Sequence, residues 1–200
     1  EGQDIHSRTA AEVYGVPLSE VTAQMRSAAK AVNFGIVYGI SDFTLAKNIS
    51  VTRAEARAFM ERYFARYPRV KQFMEEAVRL GHERGYARTL LGRRRYLPEL
   101  ASGNYNVRAF GERCAMNSPI QGTAADIIKL AMIRVDRALR EEKLRARLIL
   151  QVHDELIVEA PEDEAERVRA LLRECMEGVM RLSVPLRTDI SVGRNWRECK

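Results

Sequence analysis

Arg26, Lys30, Phe34 and Tyr38 recur at intervals of four in the segment RSAAKAVNFGIVYG. On a helix this spacing makes one slowly drifting stripe, roughly 18 Å long at 1.5 Å per residue. Two cations stand toward its N-terminal end and two aromatic rings toward its C-terminal end. Such a stripe suits a ligand with a polyanionic tail and a flat ring, and a nucleoside triphosphate has both. A core helix with two snorkelling cations and two packed aromatic rings has the same spacing, and spacing alone leaves both open. Gly35 and Gly39 each weaken a helix by up to about 1 kcal/mol relative to Ala, which points to close approach or movement.

Other chemistry-bearing residues lie outside the stripe. In QVHDELIVEA, residues 151–160, His153, Asp154 and Glu155 fall at the bend of a hairpin between strand-like runs 147–152 and 156–160. Polar residues are common at turns for structural reasons alone. Arg113, Asn117 and Gln121 are spaced by four, although Pro119 is expected to interrupt their register. Long polar side chains of this kind suit the degenerate acceptors of a nucleic-acid minor groove; an ordinary polar helix face is the structural alternative. Arg93, Arg94 and Arg95 form a charge run that is either solvated or set against phosphates. His6 is expected in the first turn of a short helix, where a lone His usually serves packing or the surface. His6 and His153 have no third ligand at a transition-metal spacing.

The elements that must position these residues are mostly helical. Asp4 can cap a helix through about Tyr14, closed by Gly15 and Pro17. Thr22 can cap the Arg26 helix, about residues 23–39, and Ser41 a short helix through Asn48. Thr52 and Glu55 make a capping box before Ala56, Phe59, Met60, Tyr63 and Phe64, and Pro68 marks a boundary. A further amphipathic helix ends before Gly85. YARTLLGRRRYLP, residues 86–98, reads as a hairpin turning near Gly92. Two helical stretches separated at Ser118-Pro119 are expected over 106–142. A last helix over 162–182 and a half-exposed strand over 186–192 follow.

Composition narrows the function classes. The chain has 200 residues, net charge +6 and 30% charged residues. This favours polyanionic partners and one compact domain or two small subdomains. There is no apolar run of about 18 residues, so no membrane span is expected. Cys114, Cys175 and Cys199 show no CxxC and read as free thiols of a reducing cytoplasm. There is no GxxxxGK[ST], so a P-loop does not hold the phosphates.

RxxxKxxxFxxxYG resembles the nucleotide-binding fingers helix of the family A DNA polymerases, the bacterial DNA polymerase I type. TLLGRRRYLP, ERCAMNSPIQGTAAD and VHDE resemble that family's corresponding segments, in family order and nearly end to end. The resemblance implies an α+β, predominantly helical fold, with a fingers subdomain over 1–115 and part of a palm over 116–200. The palm part would carry a small antiparallel sheet. It implies that His6, Arg26 and Lys30 hold the triphosphate of a dNTP, that Phe34 sits against its sugar and base, and that Tyr38 lies near the template. Arg93, Arg94, Arg95, Arg113, Asn117, Gln121 and His153 would contact primer-template DNA. Asp154 would bind catalytic Mg²⁺, with Glu155 in a lesser role; two ions would act in nucleotidyl transfer, and Lys30 could protonate the pyrophosphate.

The family's other catalytic carboxylate lies in a DYSQIELR-like strand, and nothing like it precedes Arg26. The chain is therefore expected to be the C-terminal piece of a larger, cytoplasmic, nucleoid-associated bacterial polymerase, inactive alone and completed by the upstream segment. The competing reading is a non-catalytic nucleic-acid or nucleotide-binding module.

Overall fold

The computed structural model describes residues 4–199. Its helices begin where local capping is strongest. Asp4 accepts from the backbone N–H groups of His6 and Ser7 and opens α1, Ile5–Tyr14, which Gly15 closes at φ 70°. Thr22 caps α2, Ala23–Val37, by accepting from the Met25 N–H. Ser41 caps α3, Asp42–Ile49, and Thr52 with Glu55 forms the complete capping box of α4, Arg53–Arg66. Pro68 occupies the first turn of α5, Pro68–Arg84, where its missing N–H costs nothing.

The chain divides into two compact units, Glu1–Ile120 and Gln121–Lys200. In the first, α1 to α5 share a core of Val13, Ala29, Val32, Ile36, Leu45 and Phe59. A smaller core of Ala87, Leu97, Leu100, Cys114 and Ala115 seats an antiparallel hairpin, β1 (Tyr86–Arg88) and β2 (Arg94–Tyr96). In the second unit, Val135, Leu139, Ala146, Val168 and Leu171 form the core. It lies beneath a second antiparallel hairpin, β3 (Arg147–Val152) and β4 (Glu155–Glu159), and helix α7 (Ala165–Glu177).

Three expectations are corrected. The region 106–142 is not two helices: α6 runs unbroken over Tyr105–Glu141 with Pro119 inside it. A helical proline removes one ladder bond and strains its neighbour at a cost of about 3 kcal/mol, which a long, packed helix can absorb. Beside it the Ser118 hydroxyl donates to the Cys114 carbonyl at 2.6 Å. The last helix is shorter than 162–182. A 3₁₀ turn covers Glu162–Glu164, and α7 stops at Gly178, whose carbonyl accepts from Arg134 at 2.5 Å. Residues 186–192 are not a strand. Alternation makes one face apolar, but a strand exists only where a ladder partner pairs with it, and among the described residues nothing pairs there.

Candidate functional site

Helix α2 turns its small and branched residues inward. Ala28, Ala29, Val32 and Ile36 are buried, while Arg26, Lys30, Phe34 and Tyr38 are exposed. The two aromatic rings keep 54% and 52% of their surface in solvent. That excludes the core-packing account of the stripe, because aromatic rings used for packing lose most of that surface. Tyr38 stands just past the helix as its C-cap, at φ −95° and ψ 5°, so the stripe's last member is placed by the cap.

Gly39 follows at φ 66°. A Cβ there would come within 2.5 Å of Met116 Cε and 2.9 Å of Arg113 Cγ. The glycine thus serves two needs, a left-handed backbone and the close approach of this corner to α6 at Arg113.

Helix α1 adds its own residues to the stripe. The Asp4 carboxylate, already an N-cap, receives Arg26 Nε at 2.7 Å and Nη2 at 3.3 Å. Arg26, then Ser7, holds the Asp4 carboxyl well below the usual carboxylate range. The His6 ring lies 5.5 Å from that of Phe34, tilted by 43°. Asn33 Nδ2 lies 3.1 Å from both His6 Nδ1 and the hydroxyl of Thr9. Among the described residues Lys30 has no ion pair and no side-chain hydrogen bond, so its ammonium remains available to an anion. The periodicity singled out Arg26 and Phe34, and the resemblance added His6, but neither pointed to Asn33 or to a role for Asp4 beyond capping. Asp4 stood in plain view as a cap; its pairing across 22 residues was not visible from local pattern.

The basic run is divided by its strand. Arg94 stacks over the Tyr86 ring at 4.8 Å, whereas Arg95 reaches Cys114 Sγ at 3.3 Å and Ser118 Oγ at 3.5 Å. Arg93 sits at the turn, its N–H donating to Thr89 Oγ1 at 3.0 Å. Arg95 thereby fastens the hairpin to α6, so the run is not uniformly solvated. Arg113, Asn117 and Gln121 share the uninterrupted α6 at their four-residue spacing, and the expected break in register does not occur.

In the second unit the β3–β4 turn consists of His153 and Asp154, with Val152 paired to Glu155. His153 takes φ 52°, a left-handed conformation that costs a non-glycine residue roughly 1–2 kcal/mol. The Gln151 side-chain amide braces the turn by donating to the His153 carbonyl at 2.6 Å. A bulge between Leu148 and Leu150 re-aims the strand behind it. Asp154 and Glu155 are exposed and unpaired among the described residues. Two adjacent carboxylates are hard oxygen donors of the kind Mg²⁺ takes, one or two at a time, with phosphates and water completing its shell. No group of three or more His, Cys, Asp or Glu side chains able to hold a metal ion occurs among the described residues.

Comparisons with known proteins agree on kinship. The family model described as DNA polymerase family A matches residues 1–198. The chain is 57% identical over 199 residues to the DNA polymerase I of Geobacillus stearothermophilus, covering all of this chain and 23% of that protein. It is 54% identical over 197 residues to the DNA polymerase I of Bacillus subtilis, covering 98% of this chain and 22% of the relative. Among solved structures, the POL domain of Pol1 from M. smegmatis, in complex with DNA primer-template and dNTP, superposes with a TM-score of 0.93 at 45% identity. That match covers 99% of this chain and 35% of the other. The chain thus spans less than a quarter of the length of these curated relatives.

Proposed function

The chain belongs to DNA polymerase family A, and on that premise we propose that it forms the nucleotide-binding fingers and part of the palm of a DNA-directed DNA polymerase. The observation that carries this reading is the outward stripe of Arg26, Lys30, Phe34 and Tyr38 over a buried apolar face. His6, Arg26 and Lys30 bind the triphosphate of a dNTP, offsetting its charge and aligning it. Phe34 lies against the sugar and base, and Tyr38 lies beside the template. The primer 3′ oxygen attacks the α-phosphorus, the bond to the β-phosphate oxygen breaks, and pyrophosphate leaves. Lys30 is placed to give it a proton.

Asp154, with Glu155 beside it, would hold catalytic Mg²⁺, which stabilises the attacking and leaving oxygens when bound. Arg113, Asn117 and Gln121 address the minor groove, where acceptors are nearly the same for every pair, so a sequence-tolerant enzyme can test geometry there. His153 stands near the primer end, and Arg93, Arg94 and Arg95 face phosphate, Arg95 to a smaller degree because it already bonds α6.

A second catalytic carboxylate comes from another segment of the polymerase. Supporting this, Ile149 and Leu150 of β3 and Leu130 and Ile133 of α6 are exposed, Ile149 at 56% and Ile133 at 57%. A two-stranded sheet with apolar residues in water is marginal and gains from further strands. Among the described residues no helix is long and apolar enough to cross a membrane. A bacterial, cytoplasmic location on DNA accords with this reading.

The test is dNTP binding by the full-length polymerase on primer-template, with Arg26→Ala and Phe34→Ala combined. Loss of at least about tenfold in affinity is expected, roughly 1.4 kcal/mol; affinity equal to wild type returns the stripe to an inert surface. Primer extension by the pure 200-residue chain alone would refute the need for a second carboxylate.

A further inference from the structure

The corner after α2 is a fixed point. Gly39 N–H donates to the Ile36 carbonyl at 2.9 Å and Ile40 N–H to the Gly35 carbonyl at 2.8 Å, the paired bonds of a helix closed by a left-handed residue. Gly35 leaves room for the Ile40 side chain to fold back over the helix: a Cβ there would come within 2.7 Å of Ile40 Cγ2. The Gly39 backbone is thus held from within α2.

From outside, it is seated between two side chains of α6. A Cβ on Gly39 would meet Met116 Cε at 2.5 Å, Arg113 Cγ at 2.9 Å and Arg113 Cβ at 3.6 Å. Residues three apart are neighbours on a helix face, so the glycine backbone fills the notch between Arg113 and Met116. The notch orders the stem of Arg113, while its head lies 5.9 Å from the centre of the exposed Phe110 ring. Among the described residues that guanidinium meets no carboxylate and gives no hydrogen bond. Its stem is placed and its donors are unspent. A long side chain loses rotamer freedom when it binds, and a stem ordered on folding has already met part of that loss.

We propose that Met116 is a positioning residue: it holds the Gly39 corner against the stem of Arg113 and, with Phe110 beneath the head, aims the guanidinium at a minor-groove N3 or O2 atom. The identity of that acceptor rests on the minor-groove role proposed for Arg113, whereas the seating of Gly39 does not. With Met116 cut back, the corner has no wall on its far side and can draw away from the stem. Arg113 then keeps its charge and loses its aim.

The experiment measures single-turnover incorporation by the full-length polymerase on primer-templates in which 3-deazapurine replaces one purine at a time near the primer end. Each replacement deletes one minor-groove acceptor, and its penalty is the ratio of rates with and without that atom. Arg113→Ala marks the pair that Arg113 reads, the one whose penalty disappears in that variant. In the wild type this pair should cost about tenfold, the size of one charge-assisted hydrogen bond. In Met116→Ala the same penalty should fall to about threefold or less, with the penalties at the other pairs unchanged. Met116→Leu, which refills the notch, should restore it. An enzyme that is merely destabilised would lose rate on every template alike and keep the ratio. Phe110→Leu, at an exposed site, should lower the same penalty. A penalty equal to wild type in Met116→Ala overturns the proposal, and so does one in Phe110→Leu should Met116→Ala fail to fold. If no pair carries an Arg113-dependent penalty even in the wild type, the minor-groove role of Arg113 is refuted and the proposal falls with it.

Discussion

In the α1–α2 pair, His6 and Arg26 are each held by another side chain, whereas at the β3–β4 turn Asp154 and Glu155 are placed by backbone alone. Asp4, Asn33, Thr9, Tyr67 and Glu12 tie the first region together. The second has a two-residue turn, one bracing amide and a strained His153. A polyanion with a fixed shape rewards donors that are aimed in advance, because their ordering cost is met on folding. A cation shared between segments of a protein requires carboxylates that stay uncommitted until those segments meet. The contrast predicts that substitutions at the turn change chemistry without changing stability, while those that break a partly buried link of the α1–α2 network, as at Glu12, lower stability.

The largest effect should come from Asp154→Ala in the full-length polymerase. Single-turnover incorporation is expected to fall at least about a hundredfold, some 2.7 kcal/mol in barrier, with Tm and primer-template affinity unchanged. A fall below about tenfold would make Asp154 an ordinary turn residue, and a lowered Tm would mean that the fold leans on it. Lys30→Ala should come next. Its ammonium has no partner among the described residues, so its loss should leave Tm in place while weakening dNTP binding and slowing chemistry, together by about tenfold. Wild-type values for both would remove Lys30 from the site.

These two regions were not equally legible in the sequence. Caps at Asp4, Thr22, Ser41 and Thr52 could be read because each is a bond between a side chain and a backbone group three residues away. The turn at His153-Asp154 could be read because two strand-like runs bracket it. The network around His6 could not: Arg26 meets Asp4 across 22 residues and Arg66 meets Glu12 across 54, and no local period carries such pairings. Pro119 misled because propensity weighs one residue while α6 spans 37. The expected strand over 186–192 failed for the converse reason, since alternation describes a face and says nothing of a partner.

Glu12→Gln should test the network side of the contrast through stability. The folded Glu12 carboxyl is held at about 2 against an ordinary 4.5. A depressed carboxyl contributes stability that is present above the unfolded value and is lost as pH falls through the folded one. At pH 7 the variant should be less stable by about 1 kcal/mol, a charge-assisted hydrogen bond discounted for partial exposure. The gap between variant and wild type should close as pH falls from about 4.5 to about 2, read by urea unfolding at each pH. A gap of constant size would mean that Glu12 acts by shape alone.

The smallest effect, and the sharpest test of pre-aiming, belongs to Asp4→Asn. Asn caps a helix as well as Asp does, so α1 should keep its N-terminus and its Tm. What changes is the charge facing Arg26. In the resting protein that guanidinium is bound through two nitrogens to Asp4, and on the proposed reading a triphosphate would have to share it or take it away. The pair is half in solvent, with side-chain exposures of 46% and 37%, so breaking it costs little. Removing the competing carboxylate should therefore tighten dNTP binding by about threefold at low ionic strength. The gain should shrink as salt screens both interactions. Weaker binding at unchanged Tm would show the reverse, that Asp4 aims Arg26 more than it competes for it, and would place Asp4 among the residues that orient the site.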